Sequence, residues 1–224
     1  MQGNSAMKKS IDCYLWMNSD WAYLGADRLA AMAQRHGATV RYMPVDLPAV
    51  YARTGGVLLP LRAPERQAYR VAELRRWCRR LGMHVNPQPK FMCPDATLAS
   101  CIVIAAGAAG HDVVPLYKAI LHAQWCADLD ISSPQTLAEI LQACGLDAQA
   151  RISQARTDEV ARSYAALTDR AVSVGVFGSP SYVFREELFW GQDRLDFLEE
   201  ALAKSDGGRA GRLNARSCFD DLET

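Results

Sequence analysis

A serine at the predicted start of a helix and a serine–proline pair far along the chain are the residues best placed to do chemistry. Ser19 follows an apolar run and precedes a helical pattern, so its hydroxyl can cap the helix or donate a hydrogen bond to a bound anion. Ser179-Pro180 lies in a glycine-containing loop before a predicted strand. A cis bond before Pro180 would leave the backbone N–H and C=O of Ser179 free to pair with a peptide-like ligand. The alternative is an ordinary loop proline before an edge strand.

Gln192-Asp193 marks the predicted start of a second helix, after a strand that Gly191 interrupts. The N–H groups of a helix N-terminus bind carboxylates, and the side chain of Asp193 can accept hydrogen bonds from an ammonium group. Ser19 and Asp193 are each equally well explained as plain helix caps. Two such helix starts facing one loop proline favour a ligand site over two independent caps.

The N-terminal part of the chain predicts the βαβ unit that would position Ser19. Ile11–Met17 is a continuous apolar run, typical of a strand buried on both faces. A helical pattern fills Trp21–His36, and Gly37 ends it. Thr39–Pro44 alternates apolar and polar residues, which predicts a second strand. The right-handed crossover of such a unit makes its two strands parallel.

Helical patterns dominate the middle of the chain, and no convincing strand is predicted between Leu47 and about Gly175. Leu47–Pro64 contains two glycines and three prolines and is predicted as a loop. The predicted helices cover Glu65–Leu81, Asp95–Ala109, Asp112–Trp125, Pro134–Cys144 and a segment that begins after Thr157. Two short apolar runs, Ser181–Phe184 and Leu188–Trp190, then predict a hairpin.

These elements together predict an α/β fold, in which a thioredoxin-like domain is interrupted by an all-helical insertion. The discontinuous domain takes residues 8–48 and 174–204, and the insertion takes residues 49–173. The two halves of the sheet must meet, because a two-stranded fragment is not stable alone. The ligand site is expected between the sheet and the helical block. Residues 1–7 and 205–224 are predicted to be flexible termini.

In a thioredoxin-like fold the start of the first long helix carries the reactive sulfur, yet this chain has Ser19-Asp20-Trp21-Ala22 there and no CxxC. Dithiol–disulfide exchange by the protein itself is therefore excluded at this position. The seven cysteines are scattered, which predicts reduced and mostly buried thiols in a cytoplasmic protein. If the site acts on sulfur, the sulfur must therefore come from a bound cofactor. Glutathione is the obvious candidate, because it is a thiol peptide with a carboxylate at each end.

Composition and charge argue against several other kinds of partner. The chain has 25 basic and 25 acidic residues, so charge gives no reason to expect binding to nucleic acid or to an anionic membrane. The longest apolar run, Leu98–Ala109, is too short to span a bilayer. No Cys/His pair has the spacing of metal ligands, so no metal site is predicted.

The sequence from about Asp12 to Leu202 resembles the 2-hydroxychromene-2-carboxylate isomerases and their relatives, the kappa-class glutathione transferases. The most specific part is VFGSP at residues 176–180, followed by LFWGQDRL at residues 188–195. The segment from Tyr14 to Leu24 also matches. The resemblance implies the DsbA-like arrangement of a thioredoxin domain with a helical insertion, and a homodimer.

What the resemblance further implies is a glutathione-dependent isomerase of aromatic-hydrocarbon breakdown, which interconverts 2-hydroxychromene-2-carboxylate and trans-o-hydroxybenzylidenepyruvate. Adding a thiolate to the conjugated system makes the double bond single, rotation follows, and elimination restores the double bond. Glutathione is regenerated and therefore acts as a cofactor. The other partner is the aromatic carboxylate substrate.

The resemblance also assigns roles to individual residues. Ser19 would stabilise the thiolate, the backbone at Ser179-Pro180 would pair with the cysteinyl unit, and Gln192-Asp193 would hold the γ-glutamyl end. Arg66 falls where the family usually has lysine, and its cation would meet the glycyl carboxylate or the carboxylate of the substrate.

Asp20 departs from the family, which usually has proline after the serine. A carboxylate close to a thiolate opposes ionisation of the thiol and repels a carboxylate substrate. Asp20 can instead point away and only favour the helix dipole. Two other functions therefore stay open. One is a kappa-type glutathione transferase or peroxidase acting on another electrophile, and the other is a non-catalytic module that binds glutathione or a partner.

Overall fold

The computed structural model describes residues 9–205, which form a four-stranded sheet packed against helices. The strands are β1 (Ser10–Leu15), β2 (Thr39–Pro44), β3 (Ser181–Phe184) and β4 (Glu187–Trp190). Their order is β2-β1-β3-β4, with β1 parallel to β2 and β3 antiparallel to both β1 and β4. Strand β1 is therefore central, and this position explains why its sequence is a continuous apolar run.

Along the chain, a βαβ half, a helical block and a ββα half follow one another in the predicted order. They are α1 (Asp20–Arg35), α2 (Leu47–Thr54), α3 (Pro64–Leu81), α4 (Thr97–Ala108), α5 (Val114–Ala127), α6 (Pro134–Ala143), α7 (Ala148–Ala155), α8 (Asp158–Ser173) and α9 (Leu195–Lys204). Short 3-10 turns occupy Leu59–Leu61 and Gln192–Arg194. This arrangement confirms the predicted α/β class and the thioredoxin-like fold with a helical insertion.

Helix α2 lies in the segment Leu47–Pro64, so the prediction of a loop there was wrong. The side chain of Asp46 accepts a hydrogen bond from the amide of Ala49 at 3.1 Å and caps the helix. Gly55 ends the helix in the left-handed region, with φ of 76°. The proline and glycines that argued against a helix thus lie at its two ends, where they favour it. Helix α7 was missed as well, and Asp147 caps it.

Two hydrophobic clusters pack against opposite faces of the sheet. Cys13 and Leu15 of β1 face the larger cluster, which includes residues of α1, α4, α5 and α9. Tyr14 faces the smaller cluster, which includes Val50 of α2 and Ala171 of α8. Both faces of β1 are therefore covered, and the loop that follows β1 is held between the sheet and the helical block.

Several predictions concern the ends of the chain or its relation to membranes and metals. Residues 1–7 and 206–224 of the predicted flexible termini lie outside the described residues. Between residues 9 and 205, no helix is both long and apolar enough to cross a bilayer. In the same range, no cluster of three or more His, Cys, Asp or Glu side chains is arranged to hold a metal ion. The division into domains at residues 48/49 and 173/174 stays a prediction.

Candidate functional site

A cavity of about 360 Å³ lies at the N-terminus of α1. Its wall includes Ser19 and Asp20 at the start of α1 and Ser179 from the loop before β3. The helical block contributes the opposite wall, including Arg70 of α3 and Trp125 of α5. The volume lies at the small end of the range for pockets that bind small molecules. The cavity is therefore located where the sequence predicts a ligand site.

Ser19 is both the N-cap of α1 and a residue of the cavity wall. Its Oγ accepts a hydrogen bond from the amide of Ala22 at 3.1 Å, which satisfies one of the free N–H groups of the helix start. The same hydroxyl donates to the carbonyl oxygen of Ser179 at 3.1 Å. The hydroxyl proton of Ser19 must therefore leave that carbonyl before it can serve a ligand.

The loop at Ser179-Pro180 has the predicted cis peptide bond. The hydroxyl of Ser179 accepts a hydrogen bond from the amide of Trp16 at 2.8 Å, which joins this loop to the end of β1. No strand within residues 9–205 pairs with the carbonyl of Ser179, but this carbonyl is not free, because it accepts from the hydroxyl of Ser19. The amide of Ser179 has no hydrogen-bond acceptor among residues 9–205. Pro180 is buried beside the cavity wall, and its carbonyl accepts from the amide of Gly191 at 2.9 Å.

Asp20 lies in the cavity wall and does not point away from it. Only 4% of the residue is exposed. One carboxylate oxygen accepts from the amide of Trp21 at 2.8 Å, and the other forms an ion pair with Arg70. Burial raises the pKa of the Asp20 carboxyl, although the neighbouring guanidinium of Arg70 opposes that rise. The wall beside Ser19 therefore carries an ionisable group where the related family usually has proline.

Arg70 is one of several arginines on α3, and such a basic helix face is usually solvated, yet Arg70 is buried. Its side chain is 10% exposed, and its guanidinium donates to the carbonyl of Pro87 at 3.2 Å. The guanidinium carbon also lies over the ring of Trp125, 5.3 Å from the ring centroid. Stacking of this kind keeps the cation oriented while part of its edge pairs with Asp20.

Gln192-Asp193 and Arg66 do not line the cavity. Gln192 is buried against α1, where its backbone and side-chain oxygens accept from Arg28 at 3.1 and 2.9 Å. Asp193 is exposed and pairs with Arg194 at 2.9 Å. Arg66 is exposed on α3. The structure therefore brings Ser19 and Ser179 together but leaves the other predicted ligand contacts outside the cavity wall.

Arg62 is a cation of the cavity wall that the sequence analysis did not select. It donates to the carbonyl of Val57 at 2.8 Å and to the hydroxyl of Tyr51 at 3.2 Å. No carboxylate among residues 9–205 forms an ion pair with it, whereas Arg70 is paired with Asp20. Arg62, four residues before Arg66, therefore lies in the cavity wall while Arg66 does not, and the role of Arg66 stays a prediction. In the sequence, Arg62 is simply an arginine in a proline-containing segment, and this does not predict which way its side chain points.

Two buried polar groups of the cavity wall have no hydrogen-bond partner within residues 9–205. They are the Oδ1 acceptor of Asn18 and the indole N–H of Trp125. Both residues are more than nine-tenths buried, and the amide nitrogen of Asn18 donates to the carbonyl of Pro94 at 2.8 Å. Buried polar groups are nearly always paired in folded proteins. An unpaired acceptor and an unpaired donor in one wall could both pair with a polar ligand.

Cys93 is a second residue of the cavity wall that the sequence analysis missed. It lies in a loop after α3 and has a left-handed backbone, with φ of 54°. Burial, with a further contribution from Asp20, raises the pKa of its thiol, so this sulfur stays protonated near neutral pH. The cavity contains a thiol but not an activated one.

Comparisons with known proteins agree with this geometry. The model of the DSBA-like thioredoxin domain family matches residues 10–203. A 2-hydroxychromene-2-carboxylate isomerase from Sphingobium xenophagum is 30% identical over 199 residues, which cover 88% of this chain and 99% of that protein. A solved 2-hydroxychromene-2-carboxylate isomerase has a TM-score of 0.74 at 24% identity, over 87% of this chain and 95% of the other.

A more distant solved structure is the cytosolic disulfide reductase DsbM from Pseudomonas aeruginosa with GSH. It has a TM-score of 0.61 at 18% identity and covers 87% of this chain and 99% of the other. At this level of identity, the likeness is one of fold.

Proposed function

Because the chain belongs to the DSBA-like thioredoxin family, and there to the 2-hydroxychromene-2-carboxylate isomerases, we propose that it is a glutathione-dependent isomerase. The proposed reaction interconverts 2-hydroxychromene-2-carboxylate and trans-o-hydroxybenzylidenepyruvate during the degradation of aromatic compounds. The observation that carries the proposal is Ser19, which begins α1 in a cavity wall and faces the backbone of Ser179. The reactive sulfur of this fold would otherwise stand at that position.

The residues of the cavity wall fit a thiol peptide. The unpaired Oδ1 of Asn18 and indole N–H of Trp125 call for a ligand with both a donor and an acceptor. The free amide of Ser179 can donate to the backbone of an extended peptide. Arg62 has no carboxylate partner in the described part of the chain and can take one from the ligand or the substrate. Glutathione would supply, when bound, a sulfur nucleophile that adds to a conjugated double bond and leaves it again.

The protein's own groups would bind and polarise that sulfur. The N–H groups and dipole at the start of α1 favour an anion there. The hydroxyl of Ser19 would turn from the carbonyl of Ser179 to the sulfur and add one hydrogen bond. The carbonyl of Ser179 would then accept from the ligand backbone. Gln192-Asp193 stays our candidate for the γ-glutamyl end by resemblance to the family, and the Nε2 of Gln192 has no hydrogen-bond partner within residues 9–205.

We also propose that the protein works in the cytoplasm and as a homodimer. The six cysteines within residues 9–205 are free, which is consistent with reduced thiols. The proposed homodimer follows the family, and size measurement in solution tests it directly.

The function is tested by incubating the protein with 2-hydroxychromene-2-carboxylate, with and without glutathione, while both product and free thiol are followed. We expect product only when glutathione is present, and no loss of free thiol. Loss of one thiol per product would instead identify a glutathione transferase. Binding of glutathione in a calorimeter without turnover would identify a non-catalytic module.

A further inference from the structure

Asp20 follows Ser19 in the chain and lies with it in the cavity wall, so its surroundings bear on the chemistry proposed there. It is the first residue of α1, and both of its carboxylate oxygens are engaged, one by the amide of Trp21 and one by Arg70. The side chains of Asp20 and Arg70 are only 6% and 10% exposed. The pair is therefore almost removed from water, and each charge depends on the other.

A second anion in this cavity would compete with Asp20 for the same cation. If a bound thiol loses its proton to solvent, a thiolate and a carboxylate lie in one poorly solvated wall with Arg70 between them, and they repel each other. If the proton moves to Asp20 instead, one negative charge remains and Arg70 still balances it. Transfer of the thiol proton to Asp20 therefore keeps the net charge of the cavity constant when the thiol ionises.

We propose, on the basis of the glutathione-dependent function above, that Asp20 is the catalytic base that takes the thiol proton of the bound cofactor. The S–H bond breaks and an O–H bond forms on the Asp20 carboxylate. The electron pair of the S–H bond stays on sulfur, so one negative charge moves from oxygen to sulfur. Arg70 loses its pairing with Asp20 and becomes available to the new anion.

The other charged and titratable groups around Asp20 do not offer the same transfer. Arg62 and Arg70 are cations, and burial raises the pKa of both the Tyr51 hydroxyl and the Cys93 thiol, so neither group is a base at neutral pH. Two further carboxylates line the cavity, but each accepts from a backbone amide near the start of a helix. Asp46 accepts from the amide of Ala49 at 3.1 Å, and Asp95 accepts from the amide of Thr97 at 2.9 Å. The raised pKa of Asp20 brings its proton affinity closer to that of a thiol, which eases the transfer.

The test measures how many protons reach the buffer for each thiolate formed. Binding of glutathione at neutral pH is followed by calorimetry in two buffers of different ionisation enthalpy, and the thiolate is followed by its ultraviolet absorbance. For the unaltered protein we expect thiolate absorbance with close to zero protons released, because Asp20 retains the proton. For Asp20→Asn we expect about one proton released per thiolate, or no thiolate at neutral pH, because a free thiol ionises above neutrality.

Asp46→Asn is the matched control, because it removes a carboxylate from the same wall while asparagine still caps α2. Its proton count should equal that of the unaltered protein. About one proton released per thiolate by the unaltered protein would overturn the role of Asp20 and leave the proposed function standing. Bound glutathione without thiolate, or thiolate without proton release in Asp20→Asn, would overturn it as well. Failure of glutathione to bind the unaltered protein would overturn the proposed function itself.

Asp20→Asn leaves the buried cation of Arg70 without its partner, so the variant is first checked for folding by circular dichroism. The double variant Asp20→Asn with Arg70→Gln removes both charges and is used if the single variant unfolds. The measurement on the unaltered protein needs neither variant.

Discussion

The hydroxyl of Ser19 has two positions of interest at once, because it caps α1 and belongs to the cavity wall. Sequence reasoning alone left these as alternatives, because a cap and a ligand contact require the same residue at the same place. Its bond to the carbonyl of Ser179 explains why both apply. The hydroxyl oxygen accepts from the helix while its proton remains free to be directed elsewhere.

Replacing Ser19 with alanine should lower turnover about 100-fold at saturating glutathione, because one hydrogen bond to the reacting sulfur is lost. Loss of the cap should also reduce the free energy of unfolding by about 1 kcal/mol. Ser133→Ala is the matched control, because Ser133 caps α6 away from the cavity. It should show a similar loss of stability in denaturant unfolding and unchanged turnover. Equal turnover in both variants would remove Ser19 from the mechanism.

Arg62→Gln should weaken binding of glutathione or of the substrate carboxylate about 10-fold, because a charge-assisted contact is lost. Arg66→Gln removes a similar charge from an exposed position on α3 and should leave both affinities almost unchanged. Calorimetry and KM values for the two variants compare them directly. A larger effect at Arg66 than at Arg62 would contradict the assignment of the cation to the cavity wall.

The raised pKa of Asp20 gives the stability of the protein a predictable pH dependence. A carboxyl whose folded-state pKa lies above its unfolded value stabilises the fold below the unfolded pKa, and this contribution is lost as the pH rises through the folded pKa. The difference in unfolding free energy between the unaltered protein and Asp20→Asn should therefore fall as the pH rises above the ordinary aspartate pKa. Denaturant unfolding across the mildly acidic range measures this difference, and a rising difference would contradict it.

At the scale of elements, periodicity and capping residues were sufficient to predict β1, α1, β2 and the hairpin of β3 and β4. They failed for α2, because its proline and glycines were taken as signs of a loop although they mark the helix ends. They also failed for Arg70, which one-dimensional patterning places on a solvated face. Arg70 is buried because it packs against Asp20 and Trp125. These are tertiary contacts, and no local sequence pattern predicts them.

Helix α1 packs closely against the 3-10 turn that begins at Gln192, and this packing should be sensitive to one methyl group. A Cβ at Gly25 would lie 2.8 Å from Cβ of Gln192 and 2.9 Å from the hydroxyl of Tyr182. Gly25→Ala should therefore reduce the free energy of unfolding by about 1–3 kcal/mol through overpacking. In the control Gly107→Ala on α4, the Cβ would lie 3.4 Å from the nearest atom, Cγ1 of Val113, and we expect unchanged or higher stability. Thermal unfolding of both variants compares them, and equal tolerance would contradict the close packing.

At the scale of the whole molecule, the sheet built from both ends of the chain and the helical block share one hydrophobic cluster. Leu29 of α1 and Leu198 of α9 belong to the same cluster as Ile102 of α4 and Leu116 of α5. The sequence predicted that the two halves of the sheet must meet, and it predicted where a cavity should lie. It did not predict which side chains face that cavity, because the directions of Arg62, Arg70 and Cys93 depend on how the block packs.

The shared cluster predicts that the described part of the chain unfolds as one cooperative unit. Transitions followed by far-ultraviolet circular dichroism and by tryptophan fluorescence should coincide in denaturant, because neither part has a separate core. Two separated transitions would show that the predicted domains, 8–48 with 174–204 and 49–173, fold independently.

If glutathione binds as proposed, the bond between the two serines also limits how tightly it can be held. A thiol arriving at the start of α1 exchanges one existing partner of Ser19 for another, so the gain is only the difference between two similar bonds. Such an exchange favours modest affinity and rapid departure. The carbonyl of Ser179 occupies the Ser19 hydroxyl whenever no thiol is bound. A cofactor that is regenerated in each cycle would then leave as readily as it arrives.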